Sequence, residues 1–190
     1  MRTLTFAAAA AALAACAPSI KPEPPPDGGT ITPVGKVTTV RNPDGTSSTL
    51  VDATSMEAWI HLDFATGAEA AETDSWDLRF QRFHVSTNGG ATGTGGVEVL
   101  SIAAAFPSIV EAPPAGYFAD ADVDGDGKVD YAFDQNGAWY AYDQTTHVLT
   151  PRELVWIVRT AAGATVKLAI DGYYDTAGTG GWMTFHWIPL

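Results

Sequence analysis

The chain is poor in the residue types that carry most catalytic and nucleic-acid chemistry. Its 190 residues include one cysteine, four histidines, and ten lysines and arginines together. A lone thiol excludes an internal disulfide framework. Ten basic against 22 acidic side chains, a net charge of −12, disfavour nucleic acid and anionic lipid surfaces as partners. The G-x-S-x-G elbow, the phosphate-binding glycine loop and the H-E-x-x-H pair are all missing. No spacing of Asp and His singles out a catalytic pair, so an enzyme is not expected. Past the first residues there is no long amphipathic run, and there is no internal repeat.

The lone cysteine has a use. Arg2 precedes an apolar run from Phe6 to Ala15 that is too short to span a bilayer as a helix. Leu13-Ala14-Ala15-Cys16 has the form of a lipobox, in which the Cys16 sulfur takes the diacylglycerol. Residues 1–15 therefore read as a lipoprotein signal peptide. Cys16 is the lipidation site, carrying palmitate-type acyl chains. Ala17, where an Asp would favour inner-membrane retention, is compatible with sorting to the outer membrane. Residues 16–36 form a disordered tether: six prolines, with Gly28 and Gly29, favour extended geometry over packing.

Residues 37–190 are enough for one folded domain. They are rich in Thr, Val and aromatics and broken by frequent Gly turns, which predicts an all-β, mainly antiparallel fold. Arg41-Asn42-Pro43-Asp44-Gly45-Thr46 reads as the turn of an N-terminal hairpin. Ala138 to Tyr142, Leu154 to Thr160, Val166 to Ile170 and Trp182 to Ile188 read as strands. Residues 97–106 fit either a buried strand or a short helix.

The stretch Ser75 to Gly90, SWDLRFQRFHVSTNGG, holds the most information. Trp76, Leu78 and Phe80 share one parity; Phe83 and Val85 take the other. The slip near Gln81 and Arg82 predicts a β-bulge within one strand. Arg79 and Arg82 are expected to lay their stems along aromatics and keep their heads wet or paired. Thr87-Asn88-Gly89-Gly90 then reads as a turn.

This stretch resembles the signature of HmuY-type haem-capturing lipoproteins, a Trp-Asp strand carrying an Arg-aromatic pair and followed by an Asn-Gly turn. Trp59 to Asp63, Gly137 to Tyr140, Val155 to Gly163, Val166 to Leu168, Tyr173 to Asp175 and Gly181 to Trp187 are similar to further segments of that family. The resemblance covers most of residues 50–190. It implies a single β-sandwich-type domain, haem as a ligand and an outer-membrane receptor as a partner. It also implies two histidine iron ligands, in the region between the Asn-Gly turn and the Val-rich strand. Here that region is shorter and holds one histidine, His147, which aligns with neither ligand. His147 is thus the first candidate for haem. His61, His84 and His186, inside strands, and Met183 are secondary ones.

One motif stands outside the resemblance. From Asp122 the chain reads D-x-D-x-D-G-x-x-D, with Asp122, Asp124, Asp126 and Asp130 at loop positions 1, 3, 5 and 9, and Gly127 at the sharp turn. The Lys128 carbonyl sits at position 7. Calcium takes six to eight oxygens at about 2.4 Å, and this spacing wraps them around one ion. Position 12 is Phe133, so the bidentate Glu of an EF-hand is missing. A register from Asp120 is the weaker choice, because it puts Lys128 where a carboxylate is wanted. Two functions remain open: a haem-binding envelope lipoprotein, or a calcium-stabilised surface lipoprotein of the same fold serving adhesion or assembly.

Overall fold

The computed structural model describes residues 35–135 and 137–190. The signal peptide, Cys16 and the tether as far as residue 34 lie outside the described residues. Twelve strands follow in order: β1 (Val37–Arg41), β2 (Ser47–Asp52), β3 (Ile60–Asp63), β4 (Ala68–Ala70), β5 (Leu78–Gln81), β6 (His84–Thr87), β7 (Glu98–Ile102), β8 (Tyr140–Asp143), β9 (Val148–Pro151), β10 (Val155–Arg159), β11 (Thr165–Tyr174) and β12 (Gly180–Pro189). They make a six-stranded sheet in the order β1-β2-β12-β11-β10-β7, a four-stranded sheet β4-β3-β5-β6, and the hairpin β8-β9. Every pairing is antiparallel.

Alternation builds the core. Val166, Leu168 and Ile170 of β11 and Met183, Phe185 and Trp187 of β12 are buried facing the small sheet. Leu62, Leu78 and Phe80 answer from the small sheet, and Phe80 stacks on Phe185 with centroids 5.7 Å apart. Each such side chain, fully buried, is worth roughly 1.5–3 kcal/mol over an exposed one. Strand β10 is buried on both faces. Trp156 and Val158 enter the core, while Val155 and Ile157 lie under the segment around Phe106, Ile109 and Tyr117. That double burial explains why this strand is the most continuously apolar.

Buried polar groups tie the sheets together. Asp77 accepts the Phe64 N–H at 2.8 Å with one oxygen and the Ala161 N–H at 2.8 Å with the other. Burial pushes its carboxyl up from the ordinary value of 3.8, against the pull of those two donors. Trp139 donates its indole N–H to the Phe83 carbonyl at 2.9 Å.

Two sequence expectations change, and one open alternative is resolved. The slip at Gln81–Arg82 is a hairpin turn, not a bulge: β5 ends at Gln81, β6 starts at His84, and Gln81 pairs with His84. Arg82 takes φ +54° there and donates to the carbonyls of Thr54 and Gly180. The strand expected from Ala138 starts at Tyr140, because Ala138 sits at φ +57° and turns the chain. In the ambiguous stretch 97–106, Glu98–Ile102 is strand, and a single 3-10 turn begins at Phe106.

Candidate functional site

The acidic loop is closed at its base by a two-way bridge between Ala121 and Asp130, with N–H to O distances of 3.2 and 2.8 Å. Gly125 and Gly127 take φ +77° and +82°, which glycine allows without strain. Oxygens of Asp122, Asp124 and Asp130 all lie within 4.8 Å of one another. Ligands on opposite sides of one ion bound at about 2.4 Å stand about that far apart. Asp122 accepts the N–H groups of Gly125 and Gly127, and Asp130 accepts that of Val123. Asp126 is not drawn into this trio. Its carboxylate accepts from the Lys128 ammonium at 2.9 Å and from the Lys128 N–H, and those bonds hold its carboxyl below the usual range. Asp120, the first residue of the other register, is fully buried. It accepts from Ser86, Thr87, Thr92 and Ala132, so it anchors the loop and does not serve as a ligand within it.

The histidines lie apart. His147 is exposed at the end of the β8-β9 hairpin at φ +58°, with its Nδ1 hydrogen-bonded to the Tyr142 hydroxyl. His84 faces Asp134 Oδ2 at 3.0 Å, and His186 faces Asp171 Oδ1 at 2.9 Å. His61 is 6% exposed against Trp76. Met183 is fully buried between the sheets, so its sulfur faces core side chains and no open space.

A cleft of about 810 Å³ opens on the outward side of the six-stranded sheet. Ala103–Phe106 form one wall, Thr150–Val155 the other, and Ala169–Asp171 the floor. Its size falls within the ~300–1,000 Å³ of small-molecule sites. Phe106 is its one aromatic and Arg152 its one cation; no histidine or methionine lines it. His186 stands just behind, with its ring 4.3 Å from that of Phe106. These lining residues come from three distant segments, so no local pattern in the sequence points to them. The β8-β9 hairpin runs directly into the second wall, which places His147 three residues before it, about 10 Å along an extended strand.

The HmuY protein family model matches residues 55–187. No curated protein matches the chain. Among solved structures, a Bacteroides vulgatus ATCC 8482 protein assigned as HmuY-like and haem-binding is 20% identical with a TM-score of 0.57, over 79% of this chain and 96% of its own. An apo HmuY analog from Tannerella forsythia is 14% identical with a TM-score of 0.58, over 81% and 96%. A Bacteroides fragilis NCTC 9343 protein assigned as a lipoprotein is 22% identical with a TM-score of 0.59, over 79% and 92%. At these identities the likeness to solved structures is one of fold.

Proposed function

Because this chain belongs to the HmuY family, we propose that it is a lipid-anchored protein of the outer membrane that binds haem or a related planar hydrophobic ligand. The observation that carries this reading is the 810 Å³ cleft in a chain of that family. Ala103, Ala104, Ala105 and Ala169 offer apolar contact to a porphyrin, and Phe106 offers a ring edge. Arg152 at the rim matches a propionate; its Nε already donates to the Tyr140 carbonyl at 2.9 Å, which holds the head in place. The imidazole comes from beyond the lining. His147 is the candidate in the region where the family carries its ligands, and the hairpin that bears it must fold toward the rim to reach iron. Cys16 supplies the anchor, and the tether holds the domain away from the bilayer. A haemin titration of the full chain and of its His147→Ala variant tests the ligand: equal Soret shifts in both remove His147 from the site.

A second reading rests on the trio of Asp122, Asp124 and Asp130. In it, calcium closes the loop and stiffens a surface lipoprotein that does not bind haem and acts in adhesion or assembly. The two readings are compatible in one molecule as far as calcium goes, and they part on haem.

A further inference from the structure

On the outward face of the small sheet, Arg79 of β5 sits between two indoles. Its guanidinium carbon is 4.5 Å from the Trp59 ring centroid and 5.5 Å from that of Trp76. Nε donates to Ser86 Oγ at 3.1 Å, and Ser86 donates to the buried Asp120 carboxylate at 2.6 Å. That chain of bonds fixes the direction of the head. Among the described residues, no carboxylate or carbonyl meets its two terminal nitrogens. Tyr131 extends the aromatic surface, edge-on to Trp59 at 5.4 Å. Against Trp76 lies His61, 6% exposed, whose Nε2 has no hydrogen-bond partner among the described residues. Burial first, and the Arg79 charge second, push its pKa below the ordinary value of 6.5.

A guanidinium is always charged, and its parallel N–H groups match a carboxylate in two-point fashion. Indole walls displace water from around it and strengthen that pairing. In a chain with a net charge of −12, a half-buried arginine oriented by Ser86 and walled by indoles presents its fork to an external carboxylate. Trp59 and Tyr131 add flat faces beside the fork.

We propose that the outward face of β3, β5 and β6 binds a carboxylate borne on a ring, the carboxylate on the Arg79 fork and the ring against Trp59 and Tyr131. An acidic sugar and an aromatic acid both carry that chemistry. This site is separate from the cleft, which opens on the opposite side of the sandwich, and it stands whether or not haem binds there.

The test uses four probes on the full chain: glucuronate against glucose, and benzoate against benzyl alcohol. Binding is read by tryptophan fluorescence and by the Trp59 indole N–H shift. At least one acid binds, and its neutral partner binds about tenfold more weakly or not at all. The acid that binds identifies the source. Arg79→Lys keeps the charge but loses the fork, and weakens the acid about tenfold. Equal binding of acid and neutral partner, no binding of either acid, or an unchanged affinity in Arg79→Lys each overturns the proposal. The wild-type comparison needs no variant to fold.

Discussion

Asp77 accepts the backbone N–H of Ala161 at 2.8 Å, joining residues 84 positions apart. Asp77 precedes β5 in the small sheet, and Ala161 opens the turn between β10 and β11 in the large one. One carboxylate thus fixes how the two sheets meet, and it does so at the Trp76-Asp77 pair that carries the family resemblance.

Asp77→Ala leaves the buried Phe64 N–H and the half-buried Ala161 N–H without an acceptor. The expected loss is about 3 kcal/mol, measured by urea unfolding. Burial raises the Asp77 pKa above 3.8 in the folded state, so the native protein holds this proton more tightly than the unfolded chain does. The group's contribution is therefore least favourable above its folded pKa and recovers as pH falls toward 3.8. Asp77→Asn is expected to flatten that part of the pH–stability curve. A curve of unchanged shape would contradict the assignment.

Calcium is expected to raise the melting temperature through Asp122, Asp124 and Asp130. An excess of ~100-fold over Kd is worth about 2.7 kcal/mol if only the folded state binds. Asp124→Ala is expected to erase the response, whereas Asp126→Ala, which removes only the Lys128 partner, largely keeps it. Identical melting curves in calcium and in chelator would exclude the site.

Gly89 and Gly96 separate two reasons for glycine. A Cβ at Gly89 would collide with the Val97 carbonyl, although Gly89 does not take a positive φ. Gly96 takes φ +70° in open space. Gly89→Ala is expected to cost about 1–3 kcal/mol through overpacking, and Gly96→Ala about 1 kcal/mol through backbone strain alone. Denaturant midpoints of the two variants rank them, and the reverse order would contradict the packing argument.

Much of this fold is written locally. The apolar run from Leu154 to Thr160 becomes β10, and the turn at Asp44-Gly45 joins β1 to β2, as the pattern predicts. The hairpin at Arg82-Phe83 is not legible, because neither residue is the Gly or Asn that normally marks a two-residue turn. Tertiary bonds from Arg82 to Thr54 and Gly180 hold the positive φ instead. The acidic loop is legible because its carboxylates are neighbours in sequence. The cleft and the Arg79 cradle are not, since Phe106 faces Arg152 across the cleft and Trp59 meets Tyr131 only after the chain has folded.

The anchor has its own test. Metabolic labelling with a clickable fatty acid is expected to mark the wild-type chain and not Cys16→Ser. Label on the variant, or none on the wild type, would contradict lipidation at Cys16.

Titration of the full chain with ferric haemin, followed at the Soret band, bears most directly on the central claim. The account predicts a saturable Soret shift with one haem per chain. A spectrum identical to free haemin at every ratio would contradict haem binding and leave the calcium-stabilised lipoprotein as the function of this fold.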